Sequence, residues 1–453
     1  MLPNFSNRSV LSPQYCILDG LWANPAAWPA LCDLLFSAGQ IATSYRFRCY
    51  PGDGELRILT FTSLYPNSLQ PSFAVFVHQR TEHLSRLSGN SVQVVAPVPY
   101  FPLWIPLGHW QRIARIPGKE QLGELTVRHP RYLLVPKVSM RFHGRLMYGG
   151  CESLVRQLHA RERFDCIDAH FVYPDGFAAC LLGKMLGVPV IVSARGTDLT
   201  LYPSFRTIRP LIEWTLDHAA GLIAVSASLK NEMLALGANR KKIRVIANGV
   251  DINRFQATDR GFARRQLGLS VDAQIVVSVG ALLPVKGHDR LIAAIAAMKD
   301  QFPRLRAYIV GEGSERARLE SQIREAGIAE RVFLVGSKPN DELQAWFNAA
   351  DVSCLASSRE GWPNVVSESI ACGTAVVATN VGGVQEIISS PELGIVVEPE
   401  LSAIARGLAD ALRTHWNRDV MVEHAQQRTW ETVAHEVQEH LDASARGHTR
   451  NER

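Results

Sequence analysis

The sequence predicts an α/β chain made of two doubly wound parallel sheets in tandem, each covered by helices on both faces. Three observations carry that prediction. Short apolar runs rich in β-branched residues alternate with longer stretches of helical period. Within the runs apolar and polar residues do not alternate, so the strands are buried on both faces, as in a parallel sheet. The whole pattern then starts again after Asn248-Gly249-Val250-Asp251, where Asn-Gly suits a turn with positive φ. A length of 453 residues fits two or three domains of ordinary size.

Residues 1–54 stand apart as an extension with no clear domain. They lack β-branched runs and carry Pro25, Pro29, Pro51 and a Gly52-Asp53-Gly54 turn. Asp19 and Asp33 interrupt any apolar stretch, so a cleavable signal peptide is not expected. A membrane-touching hairpin around Trp22 and Trp28 is the alternative to a segment without structural role. The first Rossmann-like domain spans 55–247. It opens with a strand at Leu56–Thr62 and a helix at about Phe73–Leu87. Strands follow at Val92–Ala96, Cys166–Ala169, Val188–Ser193, Leu222–Val225 and Ile243–Ile246, with helices near Phe177–Leu186, Ile208–Ala219 and Ala227–Leu236. The second domain, 248–415, has strands at Ile275–Val279, Leu305–Val310, Val332–Val335, Val352–Leu355, Ala375–Ala378 and Ile395–Val397. Its helix Arg290–Lys299 sets Ile292, Ile295 and Ala296 on one face. Residues 416–453 read as helix crossing back to the first domain, with Trp430, and a frayed polar end after about Ala443.

Composition narrows the function classes. Apolar residues make up 47% and charged residues 20%, which excludes a disordered, collagen-like or coiled-coil chain. The longest apolar runs, such as Leu291–Met298, are about eight residues, against the roughly 18–20 that a spanning helix needs. The eight cysteines form no Cys-x-x-Cys pair, so buried free thiols fit better than a metal site or a disulfide scaffold. No Gly-x-x-x-x-Gly-Lys-Ser/Thr is present, and Gly183-Lys184-Met185 lacks both the glycine spacing and the hydroxyl. Gly311-Glu312-Gly313 lacks the third glycine of a nicotinamide fingerprint, and neither Gly-x-Ser-x-Gly nor His-Glu-x-x-His occurs.

In open α/β sheets ligands bind beyond the carboxyl ends of the strands, so chemistry is expected in the cleft between the two domains. Glu360-Gly361-Trp362-Pro363-Asn364-Val365-Val366-Ser367-Glu368 meets that condition. Glu360 follows the strand Val352–Leu355, and Pro363 suits the first turn of a helix. The free amides at that helix start form an anion site, and Glu368 lies a turn or more into the helix. Four other glutamate pairs share the eight-residue spacing, so context rather than spacing selects this one. Lys286 follows the strand Ile275–Val279 and can neutralise a phosphate in the same cleft; read alone it would be a surface lysine.

These segments resemble the family 4 glycosyltransferases, which have the GT-B fold of two Rossmann-like domains, an interdomain cleft and C-terminal crossover helices. Glu360 and Glu368 with Gly361 look like the donor signature, and Gly280 to Gly287 like the diphosphate loop. Asn248-Gly249-Val250-Asp251 with Phe255, Gly311-Glu312-Gly313, Ala371-Cys372-Gly373-Thr374 and Gly382-Gly383-Val384 with Glu386 agree in order. So do Thr62-Ser63-Leu64-Tyr65-Pro66 and Asp168-Ala169-His170. The resemblance covers about residues 56–440 and is similar in flavour to bacterial surface-polysaccharide enzymes of the teichuronic-acid type. It implies a retaining transferase that uses a UDP- or GDP-sugar, with no metal and no cofactor.

By motif position Glu360 would hold donor-sugar hydroxyls and Glu368 the ribose. Lys286 would stabilise the departing diphosphate, and Gly280, Gly361, Trp362, Pro363, Asn364 and Val365 would cradle the donor. His170 would face the transferred sugar, although a lone histidine there also reads as structural. Arg195 would reach acceptor or phosphate, with a salt bridge to Asp198 as the alternative. Two departures stand out: Ala281 occupies the place of an arginine, for which Arg195 is a candidate substitute, and Pro71-Ser72-Phe73-Ala74 replaces a double glycine. Ser72 is thereby a candidate contact to acceptor or phosphate. A sugar-nucleotide 2-epimerase and a non-catalytic partner subunit are the rival readings on the same fold.

The net charge of +5 is local. Pro99–Tyr148 reads as an insertion holding Arg112, Arg115, Lys119, Arg128, Arg131, Lys137, Arg141 and Arg145 against only Glu120 and Glu124. Trp104, Trp110, Tyr132, Phe142 and Tyr148 are interleaved. That mixture suits peripheral contact with the anionic inner face of a plasma membrane, or a lipid-linked or oligosaccharide acceptor; an ordinary loop packed on its own domain is the plainer reading. Nucleic acid is not expected as a partner, because no RNA-binding module accompanies the patch.

Overall fold

The structure, a computed structural model, describes residues 56–87, 89–100, 112–134 and 140–451. The 1–54 extension with Trp22 and Trp28, and Trp104, Trp110 and Lys137 of the basic stretch, lie outside them.

The first sheet has eight strands. They are β1 (Arg57–Phe61), β2 (Ser91–Val95), β4 (Lys119–Leu122), β5 (Leu125–Arg128), β7 (Cys166–His170), β8 (Val190–Ala194), β9 (Gly221–Ala224) and β10 (Ile243–Val245). A separate parallel pair joins β3 (Val98–Tyr100) to β6 (Arg131–Leu133). The order across the first sheet is β10-β9-β8-β7-β1-β2-β5-β4. From β1 the chain winds one way through β2 and the other way through β7, so the topological switch point lies between β1 and β7. The second sheet is all parallel. It consists of β11 (Gln274–Val279), β12 (Leu305–Val310), β13 (Val332–Gly336), β14 (Val352–Leu355), β15 (Val376–Thr379) and β16 (Gly394–Val397). Its order β13-β12-β11-β14-β15-β16 puts the switch point between β11 and β14.

Two segments of the stretch read as an insertion are built into the sheet. A tight turn at Gly123, with φ 58°, folds β4 back on β5. β5 pairs parallel with β2, Val127 facing Val94, and β4 closes the edge antiparallel. Leu125 and Val127 point into the core while Thr126 and Arg128 do not, a period-two pattern that the surrounding arginines obscured.

Residues 416–453 also divide differently from the expectation. The helix Arg418–Gln426 stays on the second domain, with Met421 and Ala425 in its core. The crossing helix begins at Trp430 and runs to Asn451, beyond the expected end near Ala443. Trp430, Val433, Ala434, Val437 and Leu441 recur at helical spacing and pack on Ile58, Cys166, Ile191 and Ile223 of the first sheet. Each large apolar side chain so buried contributes about 1.5–3 kcal/mol, which fastens the chain end to the domain where it started. No helix of the described residues is long and apolar enough to cross a membrane. Cys151, Cys166, Cys180, Cys354 and Cys372 are buried free thiols.

Candidate functional site

The two switch points deliver the residues singled out in the sequence. β11 ends at Val279 and leads through the Gly280 loop to Lys286. β14 ends at Leu355 and leads to Glu360. The side chains meet: Lys286 Nζ donates to Glu360 Oε1 at 2.7 Å. Ser357, fully buried, donates its hydroxyl to the same oxygen at 2.7 Å and so fixes the carboxylate. Sequence reasoning missed Ser357, because a serine three residues before a glutamate carries no signal without the turn that joins them. The Gly280 loop is itself held, with Gly280 N–H donating to Val310 O at 3.0 Å and Leu282 N–H to Glu312 O at 2.9 Å.

The helix carrying Glu368 spans Asn364–Ala371. Pro363 sits one residue earlier than expected, at the N-cap rather than in the first turn, and no side chain caps the helix start. Asn364 and Val365 therefore leave that end open to an anion. Glu368 is half-buried, and its carboxylate accepts no hydrogen bond from the described residues. Burial pushes its carboxyl up to about 7, with Asp251 adding to the rise and Arg254 opposing it. Trp362 packs against the cores of both domains.

Across the cleft, His170 ends β7 but does not face it. The ring is fully buried, Nε2 lies 3.2 Å from Asp168 Oδ2, and Nδ1 is taken by the Arg195 guanidinium. The expectation of a direct sugar contact is therefore corrected: both ring nitrogens are engaged by protein. Burial pushes the imidazole down to about 3 against the pull of Asp168, so it is neutral. Asp168 stays ionised well below the usual carboxylate range; burial works against this, but Arg80 and His170 outweigh it. Arg80, a buried residue that sequence reasoning passed over, pairs with Asp168 at 2.7 Å and bonds Ser193 Oγ at 2.9 Å.

Arg195 makes no side-chain salt bridge with Asp198. Asp198 instead accepts the amides of Val172, Arg195 and Gly196. The guanidinium turns to Asn248 Oδ1 at 3.0 Å and lies over the Phe76 ring. Asn248 Nδ2 then donates to Asn364 Oδ1 at 3.0 Å, which links Arg195 of the first domain through Asn248 to the helix Asn364–Ala371. A Cβ on Gly361 would collide with the Arg195 carbonyl, so only glycine permits this approach. Gly196 opposite it has φ 141°, also a glycine conformation. Ser72 is exposed on the turn before the helix Val75–Arg86, and no contact among the described residues joins it to Glu360 or Lys286. Ala74 on that turn adopts the left-handed φ of 49° that the absent double glycine would take without strain.

Two doubly wound sheets, with a paired lysine and glutamate at the switch point and an uncapped helix start beside them, make up a GT-B fold. Residues 74–254 match the model of Glycosyltransferase Family 4, and residues 259–428 match that of the group 1 glycosyl transferases. The chain belongs to this glycosyltransferase family. It is 26% identical over 404 residues to TuaC of Bacillus subtilis strain 168, a protein assigned as a teichuronic acid biosynthesis glycosyltransferase. That match covers 87% of this chain and 97% of TuaC. It is 33% identical over 309 residues to a D-inositol 3-phosphate glycosyltransferase of Segniliparus rotundus, covering 64% of this chain and 68% of that one. The D-inositol 3-phosphate glycosyltransferase of Thermobispora bispora is spanned over 59% of its length. Among solved structures, HepE of Anabaena in complex with UDP and glucose superposes with a TM-score of 0.65 at 21% identity. It covers 86% of this chain and all of HepE.

Proposed function

We propose that the protein is a retaining, metal-independent transferase that moves a sugar from a nucleotide-diphosphate sugar to a lipid-linked or saccharide acceptor. The product would be a bacterial surface polymer such as a capsule, exopolysaccharide or cell-wall polysaccharide. The observation that carries this reading is the Lys286–Glu360 pair, 2.7 Å apart at the second-domain switch point. The solved UDP complexes of the HepE fold relative support a nucleotide donor, and the TuaC name supports a wall-polymer setting.

In this scheme residues 248–415 hold the donor and 55–247 the acceptor. Glu360 holds sugar hydroxyls, and Glu368, whose carboxylate accepts no hydrogen bond among the described residues, takes the ribose hydroxyls. Gly280 and the Gly361–Val365 segment cradle the diphosphate. The bond from the anomeric carbon to the diphosphate oxygen breaks with its electron pair going to that oxygen. The acceptor hydroxyl oxygen bonds the same carbon, and its proton goes to the departing diphosphate. Lys286 and the amides at Asn364 and Val365 favour the charge as it develops. His170 acts as a positioning residue through Arg195. The protein works at the cytoplasmic face of the plasma membrane, in peripheral contact through the basic stretch 99–148.

Purified protein screened by thermal shift against a panel of nucleotide sugars should gain stability with one of them. With that donor, Glu360→Gln and Lys286→Ala should each lower transfer at least about a hundredfold while melting like wild type. Wild-type transfer by either variant sinks the site assignment. A donor epimerised without acceptor would mean an isomerase instead.

A further inference from the structure

The charge that Lys286 offers a departing diphosphate is partly offset, because its ammonium is paired with Glu360 at 2.7 Å. The residue after Gly280 is Ala281, which is uncharged. A second cation stands close by, and it comes from the other domain. Arg195 follows the carboxyl end of β8, and its carbonyl packs on Gly361. Its guanidinium bonds Asn248 at 3.0 Å, and Asn248 bonds Asn364 at 3.0 Å. Two hydrogen bonds thus separate it from the residue that opens the uncapped helix.

The partners of this guanidinium are the telling feature. The two side chains it holds, Asn248 and His170, are both neutral. Asp168 is taken by Arg80 at 2.7 Å, and Asp198 by the amides of Val172 at 2.8 Å and Gly196 at 2.7 Å. Among the described residues no carboxylate oxygen comes within ion-pair distance of the Arg195 guanidinium, and its buried Nε has no partner. A guanidinium largely removed from water and held only by neutral groups is costly unless an anion joins it. Its planar fork matches two phosphate oxygens at once. Burial, with Arg80 nearby, pushes it down to about 9, so it is still charged at neutral pH.

We infer that Arg195 binds the donor diphosphate from across the cleft and, with Lys286, supplies the positive charge that the leaving group requires. This rests on the nucleotide-sugar reading above and adds a first-domain residue to the diphosphate site. It also makes the site complete only when the two domains are together. Departure of the diphosphate is then coupled to closure, which limits hydrolysis of the donor by water.

Calorimetric titration with UDP and with uridine tests the inference. Arg195→Gln should weaken UDP binding by about tenfold or more and leave uridine binding unchanged, whereas Arg195→Lys should keep most of the UDP affinity. Equal UDP affinity in Arg195→Gln and wild type overturns the inference. So does an equal loss for uridine, which marks a purely structural role. A wild-type measurement covers the case in which Arg195→Gln does not fold. The Nε–Hε NMR signal of Arg195 should shift on adding UDP and not on adding uridine; an unmoved signal also overturns it. Wild-type protein that binds neither UDP nor GDP would instead bring down the donor reading itself.

Discussion

Glu368 shows what one residue adds to the site. Its ordinary value of 4.5 is raised to about 7 by burial. The folded state therefore holds a proton that the unfolded chain has released between those two values. The stabilisation this proton confers is full below about 4.5 and is lost as pH rises through about 7. A ribose diol is bound best by the ionised carboxylate, so donor binding has the opposite dependence. The donor Kd should rise as pH falls below 7, approaching tenfold per unit, and level off above it. Glu368→Gln should flatten that profile, and calorimetry from pH 5.5 to 8.5 reads it. A wild-type profile as flat as the variant's would show that Glu368 does not titrate in contact with the donor. The position of Glu368 was legible in the sequence because helix spacing follows from chain order. Its burial was not, since that depends on what the second domain packs against it.

At the scale of elements, the helix Val75–Arg86 is tied to two strands through one side chain. Arg80 on the helix reaches Asp168 on β7 and Ser193 on β8, with arginine and aspartate both almost wholly buried. Removing Arg80 leaves the Asp168 carboxylate buried with no cation paired to it and only the neutral His170 beside it, at a cost of about 3–5 kcal/mol. Arg80→Met should therefore lower unfolding stability by that amount in urea. The double variant Arg80→Met, Asp168→Leu should recover much of it. Equal instability of single and double variants would show that the charges are not what couples helix and sheet. The helix itself was legible, because Val77, Thr81 and Leu84 fall on one face. The ion pair was not, because Arg80 sits on that buried face where a cation is unexpected, and its partner lies 88 positions away. The β4–β5 hairpin was hidden for the related reason that four-residue strands at a sheet edge carry too few inward positions to outweigh their charges.

At the scale of the whole molecule, the excess of cations over anions in residues 99–148 falls on the first domain, where several exposed apolar side chains accompany it. Tyr100 and Leu133, register partners in the β3–β6 pair, are 52% and 57% exposed, and Phe142 and Phe205 are 47% and 41% exposed. Arg128 and Arg131 are spent on internal bonds, to Gln93 and to the carbonyls of Ile113, Ala114 and Ile116. Arg112, Arg115, Lys119, Arg141 and Arg145 remain exposed. Arg141 lies 4.6 Å over the Phe142 ring, beside a 390 Å³ pocket shared with Arg145, Thr207 and Leu211. Phe205 leads inward through Tyr202, at 6.3 Å between ring centroids, to Phe171, at 5.6 Å, next to His170 at the end of β7. Each exposed cation near an anionic bilayer contributes about 1 kcal/mol, so Arg141→Glu with Arg145→Glu should weaken binding at least about thirtyfold. Co-sedimentation with phosphatidylglycerol vesicles should show that loss. Wild-type binding should fall with added salt and be weak on neutral phosphatidylcholine. The double variant should keep its affinity for the nucleotide sugar, because neither arginine adjoins Lys286 or Glu360. Equal partitioning of wild type and variant would return these arginines to the role of an ordinary solvated face. A lipid-linked acceptor would then have to enter the cleft by another route.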